Sequence, residues 1–330
     1  MNIIITHFDG DPFLLNFWLT LYEKYWRGEA DRIYLSLFYN PKVIPAPVID
    51  YDLKRLDAFK EIEVFQQPRW EIPEFSNQLL YSKAKADKVG FVESDGFIFG
   101  PGFVKRNFDL LDKYDIVAPQ YDLIKYPFVR GDLGVMGFMR CFFFAKKSLL
   151  DKVEMDFMPK DFPVNSKLPI FEQPTTERIN LDCFGWVSMQ LATLHPKILY
   201  IPANVSHSDT IEKSNQYEGN QYIHVRQMMS SALGLGGGEY GFWTNSANEA
   251  ILEKVFTLFN EHLPDGPAEF IYMKAVAFRL LFYEMLFDKS VLGTFADDYL
   301  RVLEMVIDWY AMPKEKIYEL KGFFKGIMKI

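Results

Sequence analysis

The sequence predicts an α/β protein with a mainly parallel central sheet flanked by helices, followed by a C-terminal helical subdomain. Three observations carry that expectation. Short apolar runs of strand length recur over roughly the first two thirds of the chain, and segments of helical period separate them. The runs are apolar throughout rather than alternating, as strands covered on both faces are. From Asn245 onward only helical periodicity is legible.

In chain order, the strand candidates are NIIIT (2–6), RIYLSLF (32–38), IEVF (62–65), KVGFVE (88–93), IVAP (116–119), RCFFFA (140–145) and KILYIP (197–202). Between the first two, Phe13, Leu14, Phe17, Trp18, Leu21 and Tyr25 share one helical face. Ser76 is placed to cap a helix carrying Leu79, Leu80 and Ala84, and Leu181, Phe184, Val187, Leu191 and Leu194 repeat at helical steps in a third. Strands spaced by helices of this length are βαβ units. The cluster Gly234, Gly236, Gly237, Gly238 and Gly241 is too glycine-rich for a regular element and reads as a loop. The expected division is an α/β domain at 1–232, a glycine-rich loop at 233–244 and helices at 245–330.

Bulk composition narrows the function. With 49% hydrophobic, 17% aromatic and 24% charged residues, the 330-residue chain is that of a folded globular protein. A net charge of −8 argues against a general nucleic-acid binder. Two cysteines, Cys141 and Cys183, do not make a disulfide scaffold. The N-terminal MNIIITHFDGD lacks the features of a signal peptide, and no apolar run reaches membrane-spanning length. The expected compartment is the cytoplasm.

The stretch VGFVESDGFIFG (89–100) concentrates the chemistry. Glu93 and Asp95, with Ser94 between them, close an apolar strand, and buried carboxylates need a positive partner. In open α/β sheets ligands bind beyond the carboxyl ends of the strands. Two acids there suit Mg²⁺ or Mn²⁺ bridged to a diphosphate. The plainer reading is a solvated polar turn.

The run SNQLLYSKAKADKVGFVESDGFIF (76–99) resembles the stretch that leads into the DxD motif of GT-A-fold glycosyltransferases, with Glu93 standing where the first aspartate is usual and Asp95 matching the second. YDIVAPQ (114–120), RCFFFAKKSLLDKV (140–153) and NLDCFGWVSMQLATLHPKILYIPANVSH (180–207) resemble later segments of that fold in the same order, so the resemblance spans about 1–210. It implies a GT-A catalytic domain, a nucleotide-diphosphate sugar as donor (UDP- or GDP-linked), Mn²⁺ or Mg²⁺ as cofactor, and a glycan or other hydroxyl acceptor. It also implies site residues. Glu93, Ser94 and Asp95 would face metal and donor. Asp182, expected at a helix start, would be the general base of an inverting transfer, with Glu177 in reserve. His207, or else His224 in YIHVRQMMSS, would complete the metal shell. Thr6, His7, Phe8 and Asp9 would hold base and ribose, with Phe8 stacking on the base, and Asn40 and Asn77 are further donor contacts. Each has a structural alternative: a first-turn acid, a surface histidine, a strand-to-helix turn.

Lys125 and Arg130 are placed to meet a diphosphate or an acidic acceptor, though surface charge is the preferred reading of both. The glycine-rich loop lacks P-loop spacing and reads as a lid or a linker. The tail EKIYELKGFFKGIMKI spaces Lys321, Lys325 and Lys329 beside Phe323, Phe324, Ile327 and Ile330. That pattern suits either packing in the bundle or contact with an anionic membrane surface. Two rivals are a non-catalytic GT-A-like scaffold and a sugar-phosphate nucleotidyltransferase. THFDGDPFLLN at the first turn lacks the glycine-rich signature of the latter.

Overall fold

The computed structural model describes residues 1–8, 15, 18–19, 21–39, 46–68, 73–94, 96–119, 129–130, 134–135, 142–169, 171–176, 178–181, 184–205, 215–217 and 221–224. The expected glycine-rich loop, helical subdomain and basic tail all lie outside these.

The first half runs β1 (Asn2–Phe8), a helical stretch through Leu15, Trp18, Leu19 and Leu21 that widens into a π-helical turn at Tyr22–Trp26, β2 (Arg32–Leu37), α1 (Ala46–Leu56), β3 (Ile62–Gln66), α2 (Pro73–Lys83), β4 (Lys88–Val92), β5 (Gly96–Ile98), α3 (Phe103–Leu110) and β6 (Ile116–Pro119). The second half adds β7 (Val129–Arg130), β8 (Gly134–Val135), β9 (Phe142–Lys146), α4 (Lys147–Leu150), β10 (Lys160–Phe162), β11 (Ile179–Leu181), α5 (Gly185–Thr193), β12 (Ile198–Ile201), β13 (Ala203–Val205), β14 (Asn215–Tyr217) and β15 (Tyr222–His224).

The seven expected runs become the seven strands of one sheet, in the order β12-β6-β9-β4-β1-β2-β3. All pairs are parallel except those of β9, which is antiparallel to both β4 and β6. Central strands are buried along most of their length because helices cover both faces. The edge strands β3 and β12 depart from that expectation and are partly exposed.

One face carries Ile3, Ile5, Val89, Phe91 and Phe143 against Leu80, Tyr81 and Ala84 of the α2 segment and Val187 and Leu191 of α5. The other carries Ile4 and Phe8 of β1, with Phe144 of β9. Phe8 meets Trp18 edge-on at 5.6 Å, and Trp18 stacks on Tyr22. Each fully buried side chain of this size contributes about 1.5–3 kcal/mol. Gly90 sits mid-strand because Phe144 and Ile4 fill the space that a side chain would need.

Two smaller sheets complete the architecture. One has the order β10-β11-β8-β7 and the other β13-β14-β15-β5. Pro202 separates β12, in the large sheet, from β13, in the second small one. A residue with no amide to donate suits the point where a strand leaves one ladder for another. Through this change of sheet the late chain returns to β5, directly after the acidic stretch.

Two expectations are corrected at helix starts. Ser76 is not a cap: α2 begins at Pro73, whose fixed φ suits a first turn, and Ser76 lies buried inside it. The third helix begins at Gly185, three residues beyond Asp182, with the short strand β11 in front of it. A first-turn position for Asp182 is therefore withdrawn.

Candidate functional site

β4 is buried between β1 and β9, and its carboxyl end delivers the acidic stretch. The amide of Gly96 donates to the carbonyl of Glu93 at 3.0 Å, so the chain turns between Glu93 and Gly96 where β4 gives way to β5. Ser94 is buried and Glu93 half-buried, while Asp95 itself lies outside the described residues.

β5 pairs antiparallel with β15 in the register Ile98↔Tyr222, Phe97↔Ile223 and Gly96↔His224. The backbone of His224 is therefore opposite the last residue of the acidic turn. His207, like Asp9, Asn40, Lys125, Glu177 and Asp182, lies outside the described residues. The approach to Asp182 is described: β11 runs parallel to β8 and antiparallel to β10, ending at Leu181. Arg130 occupies β7, in register with Gly134 of β8, which in turn pairs with Asn180.

The carboxyl end of β1 breaks the apolar pattern of the sheet. Thr6 and His7 are 0% and 6% exposed, yet Thr6 Oγ1 and His7 Nδ1 have no hydrogen-bond partner among the described residues. Asn77, 5% exposed in the first half of α2, has an unpartnered Oδ1 as well. Alternation along β1 sets His7 on the face of Ile3 and Ile5, the face that α2 covers, and Thr6 on the opposite face. Because α2 follows a strand and precedes a parallel one, its first turns lie at the carboxyl ends. His7 and Asn77 are thus two unsatisfied polar groups on one face at one end of the sheet. An unpaired buried polar atom costs about 1–3 kcal/mol. Ser36, in register with His7, is better provided, accepting from Gln67 Nε2 at 3.2 Å. Phe8, expected to stack on a base, is 1% exposed and packed on Trp18, so its ring is committed to the core.

Among the described residues, no group of three His, Cys, Asp or Glu side chains is arranged to hold a metal. Glu93 stands at the start of the turn and the backbone of His224 is in register with its end; by residue type, a carboxylate with an imidazole would suit Mn²⁺ better than Mg²⁺.

Sequence reasoning missed Gly96 and Tyr222. An ideal Cβ on Gly96 would lie 1.8 Å from Tyr222 Oη and 3.2 Å from the Glu93 carbonyl oxygen. The available signal was the Tyr-Ile-His alternation of a short strand, in which only the histidine drew notice.

No family model matches the chain, and no curated protein does. Similar solved structures include a protein of Desulfovibrio desulfuricans G20 with the provisional name nucleotide-diphospho-sugar transferase, at 12% identity and TM-score 0.36, covering 61% of this chain and 79% of that one. The galactosyltransferase LgtC, solved with donor and acceptor sugar analogues, is 13% identical at TM-score 0.34, covering 48% and 62%. The bifunctional IspDF of Campylobacter jejuni is 13% identical at TM-score 0.34, covering 62% of this chain and 50% of its own. Likeness at these values transfers neither an activity nor a site residue.

Proposed function

We propose that this chain is a metal-dependent glycosyltransferase that moves a sugar from a nucleotide-diphosphate donor to a hydroxyl of a glycan or similar acceptor, with inversion. One observation carries the reading. The Glu93–Gly96 turn stands at the carboxyl end of a central parallel strand, with His224 in register opposite it. Ligands of open α/β sheets bind at such ends. Thr6 Oγ1, His7 Nδ1 and Asn77 Oδ1, unpartnered among the described residues at the same end, support a polar ligand.

Glu93 and Asp95 would hold the cation, with His224 favoured over His207 by its register. Such a cation, when bound, supplies positive charge against the departing diphosphate. His7, Asn77 and Thr6 would orient the nucleotide. Asp182, carried directly after β11, would accept the proton of the acceptor hydroxyl as that oxygen attacks the anomeric carbon. UDP- and GDP-linked sugars are the donors to try first.

The test has two stages. Thermal unfolding with Mn²⁺ and a panel of nucleoside diphosphates should give a stabilisation that rises with ligand concentration. Donor-sugar consumption is then followed with and without acceptors. Asp182→Asn should fold and bind the donor normally yet lose transfer by two to four orders of magnitude. Binding without any transfer would favour the scaffold reading, and near-normal transfer by Asp182→Asn would remove that residue as base.

A further inference from the structure

Tyr222 is fully buried, 0% exposed, with two aromatic rings against its own. Its ring stacks on Phe103 of α3 with centroids 5.1 Å apart and planes 16° apart, and meets Phe142 of β9 edge-on at 4.9 Å. The residue just before its strand is held at two points. The amide of Phe99 donates to the carbonyl of Gln221 at 2.7 Å, and Arg106 Nη2 donates to Gln221 Oε1 at 3.0 Å. A phenylalanine would fill the aromatic part of this pocket equally well, so the choice of tyrosine asks for a reason.

Its location supplies one. Tyr222 pairs with Ile98, but its side chain runs diagonally along the sheet, and its oxygen stands where a side chain of Gly96 would begin. Gly96 is the residue whose amide closes the turn on Glu93. On β15, Tyr222 stands two residues before His224, whose backbone is the partner of Gly96, so the hydroxyl reaches along the sheet to that pair. The phenol thus touches the closing residue of the acidic turn from one side while rigid aromatic rings hold it from the other.

We propose that Tyr222 is a positioning residue: its hydroxyl, seated against Gly96 inside the Glu93–Gly96 turn, fixes the spacing of the acidic turn from His224. This rests on the reading of that turn as the cation and donor site. Groups behind a metal's direct ligands set their orientation, and their loss commonly weakens binding by about 10–100-fold.

The experiment compares full-length wild type with Tyr222→Phe, which keeps the ring and removes only the oxygen. Gly96→Ala, whose added methyl pushes on the same contact from the other side, is the second variant. Two quantities are read. One is hydrogen exchange at the Gly96 amide in metal-free protein, which reports closure of the turn whether or not any cation binds. The other is Mn²⁺ affinity by titration calorimetry. In Tyr222→Phe the expected result is unchanged far-UV circular dichroism, Gly96 exchange at least tenfold faster, and Mn²⁺ affinity about tenfold weaker. Gly96→Ala should show the same pair of losses, and it decides the matter if Tyr222→Phe does not fold. Exchange within twofold of wild type in the folded variants overturns the proposal. If wild type binds no Mn²⁺, the cation reading of the turn fails, while the exchange measurement still decides the role of Tyr222.

Discussion

Gly90→Ala tests how tightly the strand that carries the acidic turn is packed. An ideal Cβ at this position lies 2.6 Å and 2.8 Å from two ring carbons of Phe144 and 2.7 Å from Ile4 Cδ1. Carbon atoms in ordinary contact are about 3.5–4.0 Å apart. Ile4 could turn its end methyl, but the Phe144 ring has no room to move. It is fully buried, with Phe108 edge-on at 5.1 Å and the rings of Phe103 and Phe142 both at 6.3 Å. Overpacking of this kind costs about 1–3 kcal/mol. Relief of the glycine's excess chain entropy returns roughly 0.5–1 kcal/mol. The net loss of up to about 2.5 kcal/mol, at roughly 2–4 °C per kcal/mol for a domain of this size, lowers Tm by up to about 10 °C. Thermal unfolding followed by circular dichroism measures it. Adding Phe144→Leu should recover part of the loss, so the double variant is more stable than the two single costs added together predict. A Gly90→Ala protein that melts above the wild-type temperature, or strictly additive costs, refutes the packing argument.

Two further perturbations separate fold from function. Thr6→Val replaces a buried, unpartnered hydroxyl by a methyl, so Tm should hold or rise while the stabilisation by nucleoside diphosphate shrinks; a loss of more than about 1 kcal/mol would show that the hydroxyl has a structural partner after all. Asp115 accepts from the backbone amide of Lys197 and from Lys146 Nζ, each at 2.9 Å, and these bonds, the backbone one foremost, hold its carboxyl below the ordinary 3.8. A depressed carboxylate stabilises the fold above its unfolded pKa and loses that contribution as pH falls through the folded value. Asp115→Asn should therefore be less stable by about 1 kcal/mol at pH 7, with allowance for partial exposure, and urea unfolding should find the gap closing below pH 3.8. A gap that persists undiminished at pH 2 would assign the effect to shape rather than charge.

The large sheet was legible because burial on both faces demands continuous apolar runs, and each of the seven expected runs found its place in it. Strand direction was not. RCFFFA reads like its parallel neighbours, yet β9 runs against both, a fact set by the connections around it. The short strands Ala203–Val205, Asn215–Tyr217 and Tyr222–His224 escaped notice because three residues of mixed polarity carry no period. At the candidate site, the acids stood out in sequence as charge at the end of an apolar run. The Gly96–Tyr222 contact did not, because it joins residues far apart in the chain. Helix starts misled for a local reason. Ser76 has the chemistry of a cap, but Pro73 starts the helix a turn earlier.

The detour at Pro202 also orders events in time. Strands β1 to β4 can pair as soon as their residues have left the ribosome, whereas the acidic turn acquires its neighbour only when residues 222–224 follow. A nascent or truncated chain ending before that point could raise most of the large sheet and still leave Gly96 facing open space where Tyr222 belongs. If the turn is the donor site proposed above, ligand competence would then arrive late in synthesis, after the scaffold that displays it, and a cleaved product could look folded while remaining inert.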